Sequence, residues 1–310
     1  MAAEPAAGDV AQLNDEMLAA LLPRRAPRSH KGSHGTLVCV CGSAEYAGAA
    51  LLVAAAATRG GAGLVALAVP TSLLPVVAGH VREAVTLALP ETAPGEPDTE
   101  PAQAVIAARR PNALVIGSGL RENEANRRLV LSLVGRPPPD PDGAARERLA
   151  PAVVDGGALN LLARSGEWWR EVRRPCVLTP HPGEFARLTG EGVTTDDEVR
   201  AARARAAAVQ FGQVVVLKGA HTVVAAPDGR VAVSGLAVAA LASAGTGDVL
   251  AGLIGALLAQ GMTPYDAACA GVQLHARAGE RVGQRLGAAG TVASDLPLEI
   301  ALVRRELEAG

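Results

Sequence analysis

One carboxylate interrupts a long uncharged stretch of this sequence. Between residues 231 and 262 only Asp248 carries a charge, and it follows Gly245, Thr246 and Gly247 at the head of an apolar run. Glycines there let the backbone approach a ligand closely. A helix opening near Asp248 would offer unpaired N–H groups and a partial positive charge. Phosphate oxygens suit such a nest, above all oxygens that gain charge during transfer. Asp248 beside them could take a proton from an attacking hydroxyl. Taken alone, these four residues fit an ordinary helix cap at least as well.

Other polar residues stand just after apolar runs. VVVLKGAHT (residues 214–222) ends on Lys218 and continues through Gly219, Ala220, His221 and Thr222. Lysine is scarce here, since Lys31 and Lys218 are the only two in an Arg-rich chain. An ammonium at a strand end could meet a nucleotide phosphate, with the Thr222 hydroxyl beside it; the competing reading is a Lys reaching for water. LTPHPGEF (178–185) stiffens His181 between two prolines, with Glu184 close behind. VDGGALN (154–160) sets Asp155 where a carboxylate can hold Mg²⁺ through water or simply shape a turn. IGSGL (116–120) ends another apolar run on glycines. HKGSHG (30–35) is basic and either lines an anionic site or makes a turn. His275 lies inside an amphipathic pattern and reads as a packed residue. No GxxxxGK[ST], HExxH or Ser-His-Asp signature occurs, and GSAEYAG (42–48) is not a dinucleotide fingerprint.

The elements that must position these turns follow from apolar periodicity. Strands are expected over 36–42, 63–70, 83–89 and 112–116, then at the starts of PAVVDGG, CVLTPHP and QVVVLKG. Helices are expected over 48–60 and 122–134, from Thr71 or Ser72 as cap, through PAQAVIAARR, and through TTDDEVRAARARAAAVQ with its acidic first turn. HTVVAAPDGRVAVSG reads as a hairpin around Pro-Asp-Gly. ETAPGEPDTEP reads as a loop, and 135–147 as a Pro/Asp/Gly-dense surface loop. Residues 1–30 form a leader with a short helix opening near Asn14, and 31–310 read as one domain. Strands alternating with helices predict an α/β fold, a mainly parallel sheet with helices on both faces. Ligands in such folds bind beyond the carboxyl ends of the strands, which is where the polar turns fall.

Composition narrows the function. Net charge is −2 over 310 residues, and aromatic residues make up 2%. Nucleic-acid partners and base-stacking platforms are therefore not expected. The uncharged stretch near Asp248 is rich in Ala and Gly and broken by its own glycine turn, so a membrane span is rejected. Cys39, Cys41, Cys176 and Cys269 form no CxxC pair and read as reduced core thiols, with Cys39 and Cys41 on one face of a strand. The cytoplasm is the expected location.

In order, HKGSHG, GSAEYAGAALL, GSGL, VDGGALN, LTPHPGEFARL, VVLKGAHTVVA, LASAGTGDVLAG and GVQLHARAG resemble the ADP-dependent NAD(P)H-hydrate dehydratases, over about residues 29–300. The resemblance implies a ribokinase-like three-layer sandwich and a metabolite-repair enzyme. A hydrated nicotinamide ring, the S form of NAD(P)H hydrate, would be phosphorylated on its hydroxyl and lose phosphate. NAD(P)H, AMP and phosphate would result. ADP is the usual donor in prokaryotic members and ATP in eukaryotic ones. Asp248 would be the base and touch the hydrate. Gly245, Thr246 and Gly247 would form the anion nest. Lys218 to Thr222 with Gly247 would hold AMP, and Ala49, Gly119 and His181 would line the hydrate pocket. Mg²⁺ would be required, with Asp155 and Glu184 as candidates to hold it through water, and a homo-oligomer, a tetramer in related enzymes, is implied. Family members often read DADALN where this chain has DGGALN, and an Asn-Pro-Gly step where it has SGLAVAALAS. Only some 30 residues precede the motifs, so no epimerase domain is expected.

Two other readings stay open. A related kinase could phosphorylate the hydroxyl of a vitamin precursor and stop there, accumulating a phosphorylated product. A nucleotide-binding regulator on the same fold would work without turnover.

Overall fold

The computed structural model describes residues 10–135 and 149–309; most of the loop expected over 135–147 lies outside them. Its strands are β1 (Val10–Leu13), β2 (Thr36–Val40), β3 (Leu64–Pro70), β4 (Val85–Leu89), β5 (Glu91–Ala93), β6 (Glu96–Pro97), β7 (Ala113–Ile116), β8 (Ala152–Val154), β9 (Cys176–Leu178), β10 (Val214–Leu217), β11 (Val223–Ala225) and β12 (Val231–Ser234). The helices are α1 (Asp15–Leu21), α2 (Ala47–Arg59), α3 (Leu74–Ala78), α4 (Thr99–Ala107), α5 (Glu124–Val134), α6 (Gly157–Ala163), α7 (Pro182–Thr189), α8 (Asp197–Phe211), α9 (Thr246–Ala259), α10 (Pro264–Leu286) and α11 (Leu296–Ala309).

Ten strands form one sheet in the order β1-β12-β11-β10-β9-β8-β7-β2-β3-β4. Pairing is parallel throughout except where β11 runs against β10 and β12. The strands alternate apolar residues between two buried faces, as a period of two requires. On β2, Leu37 and Cys39 face one core and Val38 and Val40 the other. The first core packs against α1, α2, α9, α10 and α11, and the second against α4 to α8. The expected three layers are therefore present. All four cysteines are buried and free, and Cys39 and Cys41 share the first core.

Several local expectations change. Residues 10–13 of the leader pair in parallel with β12 as an edge strand, ahead of the expected helix, whose Asn14 cap accepts the Met17 N–H at 2.9 Å. Neither Thr71 nor Ser72 caps a helix: Thr71 donates to the Leu89 carbonyl, and the Ser72 N–H is taken by Glu91. ETAPGEP is not a plain loop but the small β5–β6 hairpin, which seats Glu91 for that contact. The expected hairpin around Pro-Asp-Gly is β11–β12.

The helix that matters most to the site is α9. It lies buried along nearly its whole length between sheet and α2. A side chain at Gly252 would sit 2.4 Å from the Val53 carbonyl of α2. Glycine costs a helix interior up to about 1 kcal/mol, and here it admits the backbone contact that fixes the helix axis. Among the described residues no helix is long and apolar enough to cross a membrane.

Candidate active site

Five adjacent strands, β10, β9, β8, β7 and β2, end on polar turns at one edge of the sheet. The strand order reverses between β7 and β2, the place where such sheets open a crevice. Asp155 follows β8, Thr179 to His181 follow β9, Lys218 follows β10, and residues 117–119 follow β7. The N-terminus of α9 comes up beneath them.

Gly245 is the N-cap of α9 and has φ +87°, a conformation that a side chain would strain. Thr246 pins the turn, its hydroxyl donating to the carbonyls of Leu241 at 2.8 Å and Ser243 at 2.9 Å. The Val249 N–H reaches back to the Gly245 carbonyl, so the helix ladder begins there. A helix start leaves the amides before it, those of Gly247 and Asp248, without intrahelical acceptors.

Around that helix end two carboxylates share one ammonium. Lys218 Nζ lies 2.9 Å from Asp155 Oδ1 and 3.9 Å from Glu184 Oε2. It also stands 3.2 Å from where a Cβ on Gly247 would be. Asp155 and Glu184 are buried. Asp155 accepts from Ser118 Oγ at 2.9 Å and from Thr179 Oγ1 at 2.7 Å. Burial draws the Lys218 ammonium down, but Asp155 and Glu184 outweigh it and hold it above its ordinary value. Asp248 differs. Burial raises it first and the Asp155 charge next, against lowering by a Ser118 hydrogen bond and by Lys218, and the result is about 6. A carboxylate poised there is a better proton acceptor than an ordinary one.

His181 caps α7. Its Nδ1 accepts the Gly183 N–H at 3.0 Å, while its backbone N–H donates to Glu184 Oε2 at 2.8 Å. With Nδ1 accepting, a neutral ring carries its proton on Nε2, which lies 3.6 Å from Glu184 Oε1. The side chain is half exposed, open to a ligand at the strand ends. Across the reversal, a Cβ on Gly119 would come within 2.9 Å of both Ala49 and Tyr46, so the expected pocket residues Ala49 and Gly119 touch.

Ser118, Thr179 and Tyr46 are contributors that residue reading did not single out, although all three lie inside quoted motifs. For the first two the signal was a small hydroxyl within two residues of the end of a wholly apolar strand. Tyr46 is one of two tyrosines and is mostly exposed. HKGSHG proves remote. A side chain at Gly35 would run into the carbonyl of Ala259, the last residue of α9, and that helix is about 20 Å long. Lys31 is thus a turn residue at the far edge of the sheet. His275 is buried on α10, its ring pushed down to about 4 chiefly by burial, as a packed residue should be.

The donor set does not make a cage for a metal ion. Asp155 is committed to Ser118, Thr179 and Lys218, and the ammonium already stands where a cation shared with Glu184 would sit. Among the described residues no group of three or more His, Cys, Asp or Glu side chains is gathered to hold one.

The fold is ribokinase-like: a ribokinase-like superfamily protein of Enterococcus faecalis superposes with a TM-score of 0.78 at 20% identity, over 97% of this chain and 97% of that one. Within that class the chain belongs to the NAD(P)H-hydrate dehydratase family, whose Carb_kinase sequence model matches residues 37–301. It is 38% identical over 288 residues to a bifunctional NAD(P)H-hydrate repair enzyme of Moorella thermoacetica, covering 93% of this chain and 52% of that one. It is 40% identical over 277 residues to an ADP-dependent (S)-NAD(P)H-hydrate dehydratase of Neisseria meningitidis, covering 88% and 86%. A crystal structure of the ADP/ATP-dependent NAD(P)H-hydrate dehydratase of Bacillus subtilis, co-crystallized with ATP/Mg²⁺, superposes with a TM-score of 0.78 at 30% identity, over 97% of this chain and all of that one. The chain spans about half the length of bifunctional relatives such as the Moorella enzyme.

Proposed function

We propose that this chain dehydrates the S form of NAD(P)H hydrate at the expense of ADP, in the cytoplasm. The observation that carries the reading is the Asp248 carboxylate, raised to about 6, in the first turn of α9 beside the amides of Gly247 and Asp248. Asp248 takes the proton of the ring hydroxyl as its oxygen attacks the terminal phosphorus of ADP. AMP leaves with the electron pair of the phosphoanhydride bond. The nest over residues 245–248 and the Lys218 ammonium receive the charge spread over the moving phosphoryl group. The ring carbon–oxygen bond of the phosphate ester then breaks, phosphate leaves with the bond's electrons, and the neighbouring ring carbon gives up a proton to restore the double bond. His181, bearing its proton on Nε2, is a donor to substrate or leaving phosphate. Residues 218–222 hold the AMP part, and Ala49, Gly119 and Tyr46 line the ring pocket. Mg²⁺ would travel with the nucleotide phosphates, since the protein offers it no cage.

Incubation with hydrated NADH and ADP or ATP tests the reading. Absorbance of the reduced nicotinamide should return, with AMP and phosphate formed in equal amounts when ADP is the donor. A phosphorylated product without reduced dinucleotide would replace it with the kinase reading.

The raised Asp248 value also fixes a pH dependence. The base works only when ionised, so kcat/KM should fall as pH drops through about 6. The groups facing Asp248 are Asp155, Glu184, Lys218 and the Ser118 hydroxyl, with the buried Cys41 thiol nearby. Its contribution to stability runs the other way. A carboxyl raised on folding binds its proton more readily in the native state, so this contribution grows as pH falls from about 6 towards 3.8. A pH–rate profile flat down to pH 5 would remove Asp248 from the role of base.

A further inference from the structure

The turn after Lys218 is held from behind by a buried guanidinium. Arg200 lies on α8 at the spacing of its buried face, four residues before Ala204 and seven before Ala207. It is 5% exposed. Nη1 donates to the His221 carbonyl at 2.8 Å and to Asp197 Oδ1 at 2.7 Å. Nη2 lies 3.3 Å from the carbonyls of both Leu217 and Lys218. A Cβ on Gly219 would come within 2.2 Å of Nη2, so the turn wraps directly over the guanidinium. One planar fork thus gathers three carbonyls from a stretch of five residues, a task that suits guanidinium and not ammonium.

The arrangement decides where the amides of the turn point. A trans peptide sets its N–H opposite its C=O. With the carbonyls of Lys218 and His221 drawn onto Arg200, the N–H groups of Gly219 and Thr222 face away from α8. The Lys218 N–H, opposite the Leu217 carbonyl, meets the Pro180 carbonyl at 2.9 Å, which ties the turn to the end of β9. Asp197 is half exposed and balances the guanidinium charge from the solvent side.

We propose that Arg200 is the positioning residue of the nucleotide grip: by drawing the carbonyls of Leu217, Lys218 and His221 to one side, it presents the turn's amides and Thr222 to the phosphates of a nucleoside diphosphate. The proposal rests on the assignment of residues 218–222 to the nucleotide. Arg200 touches no ligand itself, so its loss should act on nucleotide binding and not on the chemistry.

Calorimetry with ADP reads this without requiring any dehydration. Arg200→Gln should raise the Kd for ADP tenfold or more, and Arg200→Lys, which keeps the charge, should raise it at least fivefold. Asp197→Asn, which leaves the three carbonyl contacts in place, should stay within twofold of wild type. With ADP as varied substrate at saturating hydrate, both Arg200 variants should keep kcat within about threefold, so that the loss falls on the KM for ADP. Leu129→Ala, which opens a cavity in the same helical layer, controls for lost stability and should leave the Kd for ADP unchanged. Wild-type ADP affinity in Arg200→Lys, or an equal loss in Leu129→Ala, would overturn the proposal, and Arg200→Lys decides the matter where Arg200→Gln does not fold. A wild-type chain that binds ADP but returns no reduced nicotinamide would sink the dehydratase reading and leave this test standing. A wild-type chain that binds no nucleotide would sink both.

Discussion

Asp248→Asn should abolish nearly all turnover while leaving ADP bound and the protein more stable. The three effects share one cause. Asp248 is the only group at the start of α9 able to accept a proton, and its side chain is withdrawn from water. A positioned base contributes about 10²–10⁴-fold to rate, and an amide cannot replace it. The contribution exists only as the proton moves, so ground-state affinity for ADP should change by no more than about threefold. An ionised carboxylate held at about 6 carries a cost in the native state at neutral pH that a neutral amide avoids. A shift of one unit corresponds to about 1.4 kcal/mol, so the variant should gain on the order of 1–3 kcal/mol at pH 7.5 and lose that gain progressively as pH falls from about 6 towards 3.8. Single-turnover rates, ADP calorimetry and urea melts at two pH values check the three parts. Turnover within tenfold of wild type would dismiss Asp248 as base. Normal chemistry loss without any gain in stability would show that the carboxylate is better solvated than its surroundings indicate.

The architecture was legible because its signals are local. Apolar runs of four to seven residues, each closed by glycine or a polar residue, mark strands and the ends where ligands bind; Val214 to Lys218 and Ala113 to Gly119 show this plainly. Capping was legible where one side chain serves its own turn, as Asp196 does for Glu198 and Val199. It failed at Thr71, where tertiary partners take over. Residues 10–13 pair with a strand more than 200 positions away, and nothing in four residues announces that. The same distance hid the logic of the site. Lys218 could be suspected from its rarity, but its ties to Asp155, 63 residues earlier, and to Glu184 exist only once the sheet has formed. Rarity by itself was a poor guide, since Lys31 sits at the other edge of the sheet. Arg200 lies on an alanine-rich face, where a basic residue at a buried position was itself the signal.

Lys218→Met should destabilise the fold, raise the acid limb of the rate profile and weaken ADP binding together. The ammonium is four-fifths buried and stands against Asp155 and Glu184, both nearly inaccessible to water. Removing one partner of a buried pair leaves an uncompensated charge, which costs about 3–5 kcal/mol. Here two buried carboxylates lose the same cation, so the upper half of that range is expected in urea melts at pH 7.5. Lys218 also holds Asp248 down against the burial that raises it. Without the ammonium the acid limb of kcat/KM should move above 6, and a loss of nest charge should raise the Kd for ADP. Global loss of structure is separated from these effects by a second variant. Asp155→Asn in the Lys218→Met background removes the charge left stranded, and Asn can accept at Oδ1 from one of the two hydroxyls that hold Asp155 now, Ser118 and Thr179, and donate from Nδ2 to the oxygen of the other. The double variant should recover at least half of the lost stability but none of the ADP affinity. Strict additivity of the two substitutions would mean that the ammonium and Asp155 do not compensate each other. Recovery of ADP affinity in the double variant would mean that Lys218 acts only by neutralising Asp155. The nest at the start of α9 would then have to bind the nucleotide phosphates without it.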